Sequence, residues 1–342
     1  MAQNDSSSFR LTVLNPGGRD PEQHFPDGAG ETSHPHAPIN FHAYAACTRG
    51  GFHHETRRAI AEVTPVLLLL RGDFRASERA LASLQKEKRR VAVSIKETGL
   101  HQIADQLRDP AKLTRFVRIV SGADGCIGVT PEAADFYRTI RGSSDRVAFI
   151  PTPYPIDDRR WDFARPIGER SGIFVGTREW NVPSRNHLAA LLAARELSAQ
   201  TGEQVTVFNF DGRKGARLLA GIGFASGKLR VSDRKLSYPN YLREVARHKI
   251  VFQLDTSFVP GQVAGDALLC RVPCVGGNGA IDRLGFPESC GFARSIDELG
   301  KIALRLLTDQ AHYQEAVARM EAAASQRFSF KIIAEELRSF FR

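Results

Sequence analysis

Gly172-Ile173-Phe174-Val175-Gly176-Thr177-Arg178 is the stretch that decides the fold. Three consecutive large apolar residues between glycines, with no polar alternation, read as a short strand buried on both faces. Strands of a parallel sheet covered by helices have this appearance. Ser184-Arg185-Asn186 then opens a helical pattern over residues 184–199. Downstream the same signature recurs at 205–210, 250–254 and 273–276, with a second helical stretch at 238–248. Upstream, strands are expected at 11–15, 41–47, 65–70, 90–95 and 125–129. Thr130-Pro131-Glu132 marks a helix start, because Thr caps free amides and Pro at the first helical position loses no hydrogen bond. Each half is thus a βα repeat, and the economical architecture is α/β: two doubly wound Rossmann-like domains facing a cleft.

The boundary between the halves is marked by Pro151, Pro153, Pro155 and Pro166, which interrupt any regular element. The expected organisation is a first domain over 1–155, a linker over 156–170, a second domain over 171–325 and a C-terminal helix over 326–342. That helix carries the apolar stripe Ile332, Ile333, Leu337, Phe340 and Phe341, so it is expected to pack back across the domains. Residues 15–40, rich in Pro and Gly, are too long and too punctuated for a simple connection.

The chain has 342 residues, 42% of them hydrophobic and 25% charged, an ordinary globular composition too long for one comfortable core. Its apolar runs, such as Val66–Leu70, are far shorter than the ~20 residues of a membrane helix, and residues 1–8 are mostly polar. Five cysteines, 47, 126, 270, 274 and 290, suit reduced thiols in a cytoplasmic protein and imply no disulfide framework. No metal site is expected: Cys270 and Cys274 lack a partner pair, and His34, His36, His53 and His54 read as solvated loop histidines. The net charge of +9 is concentrated between residues 71 and 118, where 12 Lys and Arg face six acids. An amphipathic basic helix over 75–90 suits either an anionic membrane surface or simple solubility; no nucleic-acid-binding motif accompanies it.

In open α/β sheets ligands bind beyond the carboxyl ends of the strands. Gly176, Arg178 and Arg185 lie beyond the first strand of the second half, and two arginines beside a helix start make a pyrophosphate cradle. Gly261 and Gln262 open the helix after residues 250–254, and Asp266 on that helix offers a carboxylate to a ribose diol. Gly276, Gly277 and Gly279 follow the next strand and allow close passage of the chain beside a ligand. Taken singly, each has an ordinary reading as a turn glycine, a surface arginine or an exposed helical acid.

In combination and order, residues 172–186, 238–245, 250–254, 261–266 and 272–277 resemble the donor-binding half of GT-B glycosyltransferases. Within that fold they look most like the family 4, or glycosyl transferases group 1, type. Residues 147–157 resemble the strand leading out of the acceptor half, and the likeness covers roughly residues 120–340. The resemblance implies transfer of a sugar from a nucleotide-diphosphate donor to an acceptor hydroxyl, in cell-surface glycan or glycoconjugate synthesis. It implies that Arg178 and Arg185 hold the pyrophosphate and that Asp266 takes the place of the family's second motif glutamate. Phe258 stands where the first would fall, removing a hydrogen-bond acceptor near the transferred sugar.

The nucleotide sugar is then a co-substrate and no cofactor is expected. Transfer should be metal-independent, since neither candidate phosphate loop has an Asp-x-Asp pair. A general base is sought after residues 90–95, where Glu97 and His101 are the candidates, with glycines 17, 18, 50 and 51 lining the same cleft. The expected acceptor is a glycan or lipid-linked precursor, and the expected location cytoplasmic, peripheral at the inner membrane surface. The alternatives are a nucleotide-sugar epimerase on the same architecture and a non-catalytic sugar-nucleotide-binding protein.

Overall fold

The computed structural model describes residues 9–30, 38–97 and 99–342. His34 and His36 lie outside the described residues. The chain divides into two compact units, one running to Pro155 and taking back Phe328–Arg342, the other spanning Ile156–Arg327.

The first unit holds seven strands: β1 (Thr12–Leu14), β2 (Gln23–His24), β3 (Gly51–His53), β4 (Val66–Leu70), β5 (Val91–Ile95), β6 (Gly125–Gly128) and β7 (Val147–Phe149). Their order is β2-β3-β1-β4-β5-β6-β7, all parallel except the antiparallel edge strand β2. The helices are α1 (Phe41–Cys47), α2 (Thr56–Ala61), α3 (Arg75–Lys86), α4 (Leu100–Leu107), α5 (Pro110–Gly122) and α6 (Pro131–Arg141).

Strand β4 shows why its sequence is continuously apolar. Val66, Leu68 and Leu70 belong to one buried cluster with Leu81, Leu84 and Phe116, whereas Leu67 and Leu69 belong to another on the opposite face. That second cluster holds Phe41, Tyr44 and Ala45 of α1 together with Ile333, Leu337 and Phe341 of the C-terminal helix. The last helix thus packs on the first unit's sheet.

Residues 41–47 are a helix, not the expected strand. Phe41, Tyr44 and Ala45 recur at helical spacing and face the sheet, and a short apolar run does not by itself separate the two periods. The strand that pairs with β1 is β3, whose sequence Gly-Phe-His hid it. Thr130 caps α6 as expected, its hydroxyl accepting from the Ala133 amide at 3.1 Å.

The second unit holds β8 (Ile173–Val175), β9 (Val205–Phe208), β10 (Leu229–Ser232), β11 (Ile250–Phe252) and β12 (Cys274–Val275), all parallel in the order β10-β9-β8-β11-β12. Its helices are α7 (His187–Thr201), α8 (Gly212–Gly221), α9 (Tyr238–Val245), α10 (Gln262–Leu269), α11 (Ala280–Gly285), α12 (Ile296–Thr308) and α13 (Gln310–Arg327); α14 (Phe330–Phe341) completes the first unit. β10 was missed because its alternation Leu-Arg-Val-Ser is that of a half-exposed edge strand. The order runs outward from β8 in both directions, so the switch in strand order falls between β8 and β11, where an α/β sheet opens a crevice at its carboxyl end.

Candidate functional site

Three loops of the second unit leave the carboxyl ends of β8, β11 and β12 and are laced together. The Thr256 amide donates to the Ser184 carbonyl at 2.8 Å, and Asn186 Nδ2 donates to the Leu254 carbonyl at 3.0 Å. The Asn278 amide donates to the Asp255 carbonyl at 2.9 Å, and the Ala280 amide to the Val259 carbonyl at 2.9 Å. Asn186 pays for its place with φ 46°, a left-handed conformation uncommon outside glycine. It sits where a 3-10 turn, Pro183–Arg185, becomes α7.

Two glycines here are sterically required. Gly276 has φ 98°, and a Cβ there would lie 1.9 Å from the Gln253 carbonyl oxygen. Gly261 has φ 91°, and its Cβ would lie 2.7 Å from Asp282 Oδ2. Gly176 is tight for another reason: its Cβ would meet Val263 Cγ1 of α10 at 2.5 Å, so α10 passes close under the end of β8.

Charge is arranged around this framework. Arg178 is half-exposed, with its guanidinium 5.2 Å from the centre of the Phe210 ring. Arg185 is partly buried in an ion pair with the buried Asp255, which also accepts from the Ser257 amide at 2.9 Å. Asp266 is not an exposed helical acid: it is 2% exposed and accepts from the Tyr238 hydroxyl at 2.5 Å. Burial pushes its carboxyl up to about 7, against the opposing hydrogen bond from Tyr238 and the attraction of Arg178. Gln262 is exposed at the start of α10.

Sequence reasoning missed Asp255 and Asp282 as parts of this arrangement. Asp282 is buried, accepts from Gln253 Nε2 at 2.8 Å and fills the space that the missing side chains of Gly261, Gly277 and Gly279 leave. Burial, with the nearby Asp255 charge, raises its carboxyl to about 7. The available signal was positional: Asp255 follows an apolar strand directly, and Asp282 lies three residues past the glycine run. Phe258 meets Phe292 edge-on, with ring centres 6.4 Å apart, and the Arg283 guanidinium lies 5.5 Å from each ring centre. The arrangement therefore sets guanidinium groups beside tightly packed glycines, with Asp255, Asp266 and Asp282 buried and already engaged.

In the first unit the corresponding switch falls between β1 and β4. The loop after β1 is tied by Asn15 Nδ2 donating to Asp20 Oδ2 at 2.8 Å, by an ion pair of Asp20 with Lys96 and by His54, whose ring nitrogens face the Asn15 and Asp20 carbonyls. Glu97 follows β5 beside Lys96 and is half-buried; its Oε2 is buried with no hydrogen-bond partner among the described residues. Helix α4 begins at Leu100, so Glu97 lies outside it while the exposed His101 lies in its first turn. Gly18 and Gly50 are packed tightly, and a Cβ at Gly50 would lie 1.9 Å from the Leu11 carbonyl oxygen. His53 is 2% exposed at the end of β3, not a solvated loop histidine.

No family model matches the chain, and no curated protein matches it. Solved structures do. HepE from Anabaena in complex with UDP superposes with a TM-score of 0.65 at 13% identity, over 97% of this chain and 99% of that one. A UDP-forming α,α-trehalose-phosphate synthase from Burkholderia xenovorans superposes with a TM-score of 0.64 at 11% identity, over 98% and 99%. A protein assigned as a UDP-N-acetylglucosamine 2-epimerase from Listeria monocytogenes reaches 0.53 at 16% identity, over 83% and 76%. The chain has the GT-B fold, with two Rossmann-like sheets.

Proposed function

We propose that this protein is a glycosyltransferase that takes its sugar from a uridine-diphosphate donor bound by the second unit. The observation that carries the reading is the laced set of loops at the β8/β11 switch point, in which Arg178 and Arg185 lie between β8 and α7 beyond the carboxyl end of the sheet. The departing diphosphate gains negative charge as the sugar–oxygen bond breaks, and fixed guanidinium and amide donors stabilise it without a metal. Asp266 ties α10 to the start of α9 through Tyr238, beneath the donor loops. UDP is the nucleotide of choice because the HepE structure that superposes over nearly the full length carries it.

On the acceptor side Glu97 is the better base than His101, because its buried Oε2 has no hydrogen-bond partner among the described residues and an acceptor hydroxyl would supply one. The acceptor is a glycan or lipid-linked precursor presented at an anionic surface. Exposed Leu113 and Val117 on α5, among the basic residues of 71–118, support that reading, and co-sedimentation with anionic vesicles at two salt concentrations tests it. Epimerisation is the second reading, favoured by the Listeria structure but over less of the chain.

Melting the protein with UDP, GDP and ADP tests the donor site: UDP raises the melting temperature and Arg178→Ala removes the rise. A UDP-sugar panel then separates transfer to an acceptor from epimerisation without one. No stabilisation by any nucleoside diphosphate would sink the proposal.

A further inference from the structure

At the edge of the first unit's sheet, three side chains converge outside everything described above. His24 stands on β2 opposite Gly51 of β3, His53 ends β3, and Glu62 caps the carboxyl end of α2. Glu62 Oε1 is 3.4 Å from His53 Nε2 and 3.6 Å from His24 Nδ1, and all three donor atoms lie within 4.8 Å of one another. Around a tetrahedral zinc with bonds of about 2.0–2.1 Å, neighbouring donor atoms are about 3.3 Å apart, so two of the three edges are already near that length.

The burial pattern points to a ligand. His53 is 2% exposed, yet its Nδ1 has no hydrogen-bond partner among the described residues and its Nε2 meets only the Glu62 carboxylate, at 3.4 Å and outside good hydrogen-bond geometry. Buried imidazole nitrogens are ordinarily satisfied, and a ring left this poorly partnered calls for an explanation such as an ion. Space has been left beside them: a Cβ on Gly51 would lie 2.6 Å from His53 Nε2 and 3.2 Å from His24 Nδ1. The donors also select the ion. Two imidazole nitrogens and one carboxylate oxygen suit zinc far better than calcium or magnesium, which take oxygen ligands.

We propose that His24 Nδ1, His53 Nε2 and Glu62 Oε1 form a three-ligand zinc site whose fourth position is open to water. The ion clips the two-residue edge strand β2 and the end of α2 onto β3, one residue before His54 and the loop it holds. His24, with its side chain 61% exposed, is the ligand that rotates to close the remaining edge when zinc binds. The site is independent of the nucleotide reading, since every ligand belongs to the first unit.

The test is titration of the chelator-stripped full chain with zinc chloride against a competing chromophoric chelator. One zinc per chain is expected. His24→Ala, Glu62→Gln and Gly51→Ala should each weaken it by more than about tenfold, while His312→Ala, in the second unit, leaves it unchanged. Cobalt substitution gives tetrahedral ligand-field bands without a thiolate charge-transfer band. His24 is exposed, so His24→Ala decides the matter even where Gly51→Ala disturbs folding. Failure of the wild type to bind zinc, binding unaffected by His24→Ala and Glu62→Gln, or a thiolate band would each overturn the assignment.

Discussion

Replacing Asp266 with asparagine isolates the cost of burying a carboxyl group under the donor loops. The folded carboxyl titrates at about 7, raised by burial from an ordinary value of 3.8. Between those values the folded state holds a proton that the unfolded chain releases, so this group's contribution to stability falls as pH rises, by about 1.4 kcal/mol per pH unit, and levels off above pH 7. From pH 5 to pH 8 the wild type loses about 3 kcal/mol through this one group. The substituted asparagine keeps the side-chain volume and a carbonyl oxygen for the Tyr238 hydroxyl but does not titrate. Asp282 titrates in both proteins and cancels in the difference. For a unit of this size 1 kcal/mol is about 2–4 °C, so the melting temperature of Asp266→Asn minus that of the wild type should rise by about 6–12 °C between pH 5 and pH 8. Differential scanning calorimetry at four pH values measures it. A difference that stays flat across the range would refute the reasoning, because it would mean that Tyr238 and Arg178 keep the carboxylate ionised despite its burial.

Other expectations follow from the same geometry. Gly261→Ala forces a Cβ into positive φ and against Asp282, and should destabilise by about 1–3 kcal/mol, whereas Gly168→Ala, with open space around its Cβ, should be close to neutral in the same denaturant series. Arg185→Ala should weaken UDP binding by about tenfold or more by calorimetric titration, through loss of a cation and release of the Asp255 charge into the loop. His248 is buried between the Glu244 carbonyl and the Thr206 hydroxyl, and burial, then the Arg230 charge, lowers it to about 4. The unfolded chain therefore takes up the proton first as pH falls below about 6.5, and the group's stabilisation is lost progressively toward pH 4. His248→Gln should remove about 2 kcal/mol of the acid sensitivity between pH 6.5 and pH 5 in urea melts. Glu97→Gln should lower kcat in a UDP-sugar transfer assay, while His101→Ala leaves it in place.

The sheet strands were legible where burial on both faces suppressed any alternation, as in β4, β5, β8 and β11. The reading failed where burial was one-sided or the residues small. Residues 41–47 have the apolar content of a strand and the 3.6 period of a helix, and only the docking of α14 against Tyr44 and Ala45 decides between them. In the site, the glycines and arginines were found because their positions follow from strand ends. Asp255 and Asp282 were not, because a buried acid looks in sequence like an exposed one. His53 was misread for the same reason: only the pairing of β3 with β1 on one side and β2 on the other takes its ring out of water.

An identity of 13% across a shared fold says little about chemistry, since the same double-sheet scaffold carries unrelated activities. The local cost of the second unit's switch point says more. Among the described residues, the carboxyl groups held above their ordinary range are Asp266, Asp282 and Glu336, and the first two belong to the loops and helices after β11 and β12. The same segments contain Gly261 and Gly276 in positive φ, and they fasten Asn186, a non-glycine in that region, at the head of α7. A sequence selected for stability alone would relax these positions, placing asparagine for aspartate and an ordinary turn for the strained one. Their concentration at the ends of three adjacent strands, on the carboxyl side of the sheet, is the cost expected of the donor site proposed there. That cost lies in the second unit beside Arg178 and Arg185, which is why the donor, not the acceptor, is the ligand to test first.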